Sequence, residues 1–145
     1  MTKIKFLLIG ISIFIFANAF SQSRNLKAEY TKLIVGTWKV DSLEIGSFNL
    51  SPEYQEIVKQ KLPEIIANTE VVFKANKDYS KKGFEGSTSG KWEISKDGDY
   101  VLVKLDGSGT VSRTKIISLT STKMVMAPDD ENSANSRAFL YKFSE

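Results

Sequence analysis

From Thr69 to the C-terminus the chain is a train of short alternating segments joined by turns too brief to cross over anything. TEVVFKA, DYSKKGF, GKWEIS, YVLVKLD, TVSRTKIISLT, MVMA and SRAFLYKF follow one another, with NKD, EGSTS, KDGD, GSG, STK and PDDENSAN between them. Connections this short make consecutive strands antiparallel neighbours, because a parallel crossover needs a dozen residues or more. With GTWKV ahead of them the count is eight strands. Charged or glycine-bearing turns at intervals of about 8–12 residues mark a sandwich or a barrel. A meander of eight strands, each beside the next, closes most simply as an up-and-down barrel. The expected fold is all-β: an antiparallel up-and-down eight-stranded barrel with one helical insertion after the first strand.

Period-2 alternation assigns a face to each strand. Trp38 and Val40 oppose Lys39 and Asp41; Val71 and Phe73 oppose Lys74; Trp92 and Ile94 oppose Lys91 and Glu93. Val101, Val103 and Leu105 oppose Leu102 and Lys104. In SRAFLYKF, Arg137 shares a face with Phe139, Tyr141 and Phe143, opposite Lys142, and the three aromatics predict that this face points inward. After Asp41 the pattern slips by one residue, so that Leu43 and Ile45 are the apolar pair, which predicts a bulge near Asp41–Ser42. A one-residue slip of this kind bends a strand as a closing barrel requires.

The insertion opens with Ser51-Pro52-Glu53, a hydroxyl N-cap, a proline at the first helical position and an acid at the positive end of the dipole. Tyr54, Ile57, Val58, Leu62 and Ile65 then recur at helical spacing over 51–67. Pro63 predicts a kink or split near Lys61–Leu62. Such a helix either packs as a structural plug or covers a cavity as a lid. Residues 22–33 read as a polar lead-in with one helical turn.

The first 21 residues have the three-part layout of a secretory signal peptide: Lys3 and Lys5, an apolar run from Phe6 to Phe16, then Ala17-Asn18-Ala19 and Phe20-Ser21. Cuts after Ala19 or Ser21 both fit, and the second is preferred. The apolar run is short for a spanning helix, and no cysteine stands near the cut to carry a lipid, so the expectation is an exported protein, periplasmic or secreted, not a lipoprotein and without a membrane span. Residues 34–145 then form the barrel domain.

Composition narrows the chemistry. Two lysines and no acid leave with the leader, taking the formal net charge from +3 to +1, too little for a nucleic-acid face. The chain has no Cys, so an exported domain must stand on its core alone. It has no His, which removes the commonest general base and metal ligand and every Ser-His or Cys-His arrangement. Ser87-Thr88-Ser89 therefore lacks a base, Asp97-Gly98 and Asp106-Gly107 read as hairpin turns, and Asp129-Asp130-Glu131 reads as a solvated loop. No catalytic residue, metal site or cofactor is assigned.

Gly36-Thr37-Trp38, a G-x-W opening the first strand, resembles the signature shared by lipocalins and intracellular fatty-acid-binding proteins. VVFKANKDYS, SGKWEISKDGDYVLVKLDG and KIISLTSTKMVM resemble the secreted bacterial lipocalin-like domain family, and the likeness spans roughly residues 33–143. The resemblance implies that Trp38 packs at the closed end of a calycin-type barrel beside Gly36, and that a cation from the last strand lies over its ring, for which Arg137 is the candidate. The fatty-acid binders hold a carboxylate through Arg-x-Tyr on their last strand; here the match is Arg137-Ala138-Phe139, without the hydroxyl. Gly90-Lys91-Trp92 repeats the G-x-W spelling, and Trp92 reads as ordinary core.

Three functions fit such a chain. It is a non-catalytic binding protein holding a small apolar or amphipathic ligand, with Phe73, Trp92, Arg137, Phe139 and Tyr141 as candidate contacts. Alternatively, the same aromatics fill the barrel, and it acts through protein–protein contacts as an envelope component or inhibitor. An enzyme built on carboxylates or tyrosine is third. Arg137, on an apolar inner face, requires either the Trp38 ring or a ligand's acidic group as its partner.

Overall fold

The computed structural model describes residues 25–46, 51–130 and 135–144. The expected leader over 1–21 lies outside these, as does part of the loop after Pro128. Among the described residues, no helix is long and apolar enough to cross a membrane.

Eight antiparallel strands close into a barrel. They are β1 (Gly36–Glu44), β2 (Glu70–Phe73), β3 (Asp78–Gly83), β4 (Gly86–Ile94), β5 (Tyr100–Leu105), β6 (Val111–Leu119), β7 (Lys123–Pro128) and β8 (Arg137–Phe143). Each pairs with the next, and β8 returns to β1, so no ladder of backbone groups is left open. A helix α1 (Leu26–Leu33) precedes β1, and α2 (Pro52–Asn68) stands between β1 and β2.

The two ends of the barrel differ. At one end lie α1, the start of β1, the end of β8 and the β2–β3, β4–β5 and β6–β7 turns. Asn25 caps α1, its side chain accepting from the Ala28 N–H at 3.1 Å. The helix sits on the β4–β5 turn at Gly98, where a Cβ would stand 2.5 Å from Leu26 Cβ. This end is packed solid: Ile34, Trp38, Phe73, Trp92, Ile94, Val101 and Met124 are the largest fully buried side chains. The other end, beneath α2 and the β3–β4 and β5–β6 turns, is open.

The predicted bulge is present. β1 shifts register against β8 between Val40 and Ser42, and beyond it Leu43 opposes Ala138. The extra residue, Asp41, turns Leu43 back to the interior. A second shift in β6, between Ile116 and Ser118, leaves Ile117 outside while Ile116 and Leu119 stay buried.

Four expectations are corrected. The lead-in is an eight-residue helix, two turns and not one. The helix α2 runs through Pro63 as one unit of 17 residues, so the proline does not split it. EGSTS is not a turn: Gly83 pairs directly with Gly86, leaving Phe84-Glu85 as a two-residue turn, and the Ser/Thr run belongs to β4. The fourth concerns β8. Trp38 opposes Lys142 and Val40 opposes Leu140, so Ala138, Leu140 and Lys142 face inward and Phe139, Tyr141 and Phe143 face outward. Tyr141 is 41% exposed, whereas Leu140 is buried. Inter-strand register, set by β1 with its bulge, overrides the count of aromatics.

Candidate functional site

The half of the barrel above the packed end encloses a cavity of ≈ 440 Å³. Its walls are mainly apolar, with Val40, Leu43, Val71, Phe73, Val103 and Leu140 among them. This volume falls within the range of small-molecule sites, about 300–1,000 Å³. Thr69, Tyr79, Lys81, Thr88, Ser112 and Thr114 contribute the polar part of the lining. These residues come from β3, β4 and β6 and the end of α2, the strand residues at inward positions imposed by alternation: Tyr79 pairs with Phe73 and Gly90, Lys81 with Val71 and Thr88. Ile65 reaches into the cavity from α2, and Thr69 Oγ1 donates to the Ile65 carbonyl at 2.6 Å. Burial pushes the Tyr79 phenol up, so Tyr79 is a neutral hydroxyl at physiological pH.

Above the cavity a vestibule of ≈ 570 Å³ shares Leu43, Ser112, Thr114, Met126 and Ala138 with it. Arg113 Nε pairs with Asp129 at 3.0 Å on its rim, and the Arg113 guanidinium lies 4.2 Å from the centroid of the Tyr100 ring.

Of the residues singled out from the sequence, Phe73 lines the cavity. Trp92 lies toward the closed end, its ring edge-on to Phe73 with centroids 5.6 Å apart and its indole N–H donating to the Lys74 carbonyl at 2.9 Å. It is core, as its place in the alternation of its strand implies. Arg137 stands in the vestibule wall, where its Nη1 donates to the Ser136 carbonyl at 2.8 Å. Phe139 and Tyr141 are on the outside of the sheet and not in the cavity.

The cation over Trp38 is Lys142, not Arg137. Its Nζ lies 4.9 Å from the Trp38 ring centroid and donates to the carbonyls of Leu33 and Val35 at 2.7 and 2.8 Å. Arg137 opposes Glu44 at the far end of the same strand, five residues from Lys142 and so about 17 Å along it. Closure itself carried the missed signal. In an antiparallel pairing of first and last strands, the residue facing the start of β1 comes from the end of β8. The polar lining of β3, β4 and β6 was missed for a different reason. β3 and the opening halves of β4 and β6, which carry these residues, are largely polar on both faces, and no apolar alternation marks the inner one there.

Among the described residues, no group of three or more acidic side chains could hold a metal ion.

The lipocalin-like domain model matches residues 34–126. Among curated proteins no match to the chain is found. In three dimensions the chain is similar to a DUF4847-family protein of Bacteroides vulgatus ATCC 8482, with a TM-score of 0.51 at 14% identity over 78% of this chain and 96% of that one. It is also similar to a lipocalin-like protein of Bacteroides uniformis ATCC 8492, with a TM-score of 0.50 at 10% identity over 77% of this chain and 99% of that one. At such identities the likeness speaks for the fold alone, while the sequence match covers β1 to the inward Met126 of β7. The chain belongs to the lipocalin-like domain family.

Proposed function

We propose that the protein is an exported, non-catalytic binding protein that holds one small apolar or amphipathic molecule inside its barrel. The observation that carries this reading is the unequal filling of the interior. The closed half is packed with the largest side chains, while the half under α2 keeps ≈ 440 Å³ lined chiefly by Val, Leu and Phe. A well-packed interior leaves few voids larger than a water molecule. A barrel acting only through its outer surface has no use for a void of this size. Export rests on the basic, apolar and small-residue succession of residues 1–21.

Organic extraction of the natively purified protein, followed by mass spectrometry, tests the reading directly. A stoichiometric apolar or amphipathic compound is expected from the wild type. It is expected to be missing from Ala138→Phe, in which a ring enters the cavity from β8. Equal recovery from both proteins counts against interior binding. N-terminal sequencing of the exported protein should begin near Gln22; an intact Met1 on membrane-extracted material counts against export.

A further inference from the structure

We propose that Lys81 anchors the head group of the bound molecule, and that this molecule is an amphipathic anion: an apolar body bearing one carboxylate, sulfonate or phosphate-ester group. The proposal rests on the binding reading above and names the ligand class of that cavity.

Among the described residues, Lys81 is the single charged one in the cavity lining, and no carboxylate accompanies it there. It lies on the inner face of β3, between Val71 and Thr88. Its stem runs toward the open end: Cε passes 4.0 Å from the Cβ position of Gly83, and Thr69 Oγ1 lies 4.0 Å from that same point. The amine therefore emerges between the C-terminal end of α2 and the β3–β4 hairpin. Among the described residues it has no ion-pair or hydrogen-bond partner, unlike Lys91 with Asp78, Lys61 with Glu64 and Lys142 with its two carbonyls.

A lysine so placed lays its methylenes along an apolar wall and keeps its charge in water while the cavity is empty. Lys81 is exposed at the mouth of the barrel, and an anion arriving with its tail in the cavity meets that charge there and forms a charge-assisted pair with it. Thr88 and the neutral hydroxyl of Tyr79 line the same cavity and add donors for the remaining oxygens. One cation without a carboxylate beside it suits one negative charge. A zwitterion or a cation would bring a positive group with no counter-charge in the lining.

A structural role is the rival. The helix α2 has no basic residue in its last turn, and a cation near that end favours the helix dipole. Paired fluorescent probes separate the two. Anilinonaphthalene sulfonate carries one anionic group on an apolar body, and N-phenyl-1-naphthylamine is its uncharged analogue. In titrations of the purified protein both are expected to bind. Lys81→Met should weaken the sulfonate by about tenfold or more, as loss of a charge-assisted contact does. The same change should leave the neutral probe within about twofold, and Lys81→Arg should restore the sulfonate. Ala138→Phe should expel both probes.

Unchanged sulfonate affinity in Lys81→Met overturns the proposal while leaving the binding reading standing if the neutral probe still binds. Loss of thermal stability in Lys81→Met with both affinities unchanged assigns Lys81 to the helix end instead. Sulfonate retained by Ala138→Phe places it on the surface and overturns the assignment. If the neutral probe fails to bind the wild type, the cavity reading falls, and the anchor with it.

Discussion

Lys142 and Trp38 together saturate the exit of α1. The Trp38 indole N–H donates to the Ile34 carbonyl at 2.7 Å, and Lys142 Nζ takes the carbonyls on either side, those of Leu33 and Val35. These acceptors are the last residue of α1 and the two that follow it, where helix carbonyls lack in-helix donors and the dipole favours a cation. The amine costs desolvation energy to bring in, which holds its pKa below the ordinary lysine value. One side chain from the last strand thus ties the barrel seam to the helix that plugs its base. Lys142→Met keeps the stem and strands two acceptors; a loss of about 2–3 kcal/mol is expected in denaturant unfolding. Lys142→Arg, which can still donate, should cost under about 1 kcal/mol. Equal costs for both would mean that packing of the stem, not the charge, holds the seam.

Gly36 gives that latch its room. Its φ is +142°, a conformation side-chain-bearing residues rarely adopt, and a Cβ there would sit 3.3 Å from Lys142 Cδ and Cε. The spacing of G-x-W follows: Trp38 points into the base, and two residues earlier on the same face the backbone must let the lysine stem pass. Gly36→Ala should destabilise by about 1–3 kcal/mol. Combined with Lys142→Ala, which removes the crowded stem, its added cost should shrink to the backbone strain alone. A double-mutant cycle reads the difference.

Trp38 has no solvent exposure. Trp38→Ala should cost about 3–5 kcal/mol, as truncation of a buried aromatic does. Trp38→Phe should recover part of that and leave the Ile34 carbonyl without its donor, which near-ultraviolet circular dichroism and chemical unfolding would register together.

The helix α2 is held by one end. Tyr54 is 61% and Ile57 48% exposed, whereas Ile66 packs on the core cluster and Ile65 lines the cavity. Ile57→Ser should therefore change stability by less than about 0.5 kcal/mol, and Ile66→Ser should cost about 1–2 kcal/mol. If Ile57→Ser unfolded the domain, α2 would be a plug along its whole length. Stopped-flow release of a bound probe should quicken in the Ile66→Ser protein, whose helix loses its seat over the cavity.

Acid should weaken the β2–β3 region through Asp78. Hydrogen bonds from Lys91 and then Asn76 hold its carboxyl below the ordinary aspartate range. A carboxyl lowered in the folded state binds fewer protons than in the unfolded chain. Its contribution is therefore complete above the unfolded value, near pH 4, and disappears as pH falls through the lowered one. The melting-temperature gap between wild type and Asp78→Asn should be open at pH 7 and close below about pH 4. A constant gap across that range would show that the pairing does not couple to folding.

Much of this molecule is legible in its sequence. Alternating segments joined by short turns leave only antiparallel neighbours, and eight of them in sequence order close. The slip at Asp41 was readable because a bulge moves apolar residues onto the other parity, and Ser51-Pro52-Glu53 announced α2 through local capping chemistry. Phe73 and Trp92 fell on the inner face because their strands alternate cleanly. Each of these is a local property, written within a few neighbouring residues.

Closure is not local, and it decided the rest. Which face of β8 points inward depends on its register against β1, a strand about a hundred residues earlier and itself shifted by a bulge. Three aromatics outvoted Ala138 and Leu140 in the sequence, yet pairing with Trp38 and Val40 sent them outside. The same closure put Lys142, and not Arg137, over the tryptophan. It also placed Lys81 and a band of hydroxyls from β3, β4 and β6 around an apolar space. β3 and the opening halves of β4 and β6 are too polar on both faces for periodicity to say which side is in. An inward lysine looks like a surface lysine until the last strand meets the first.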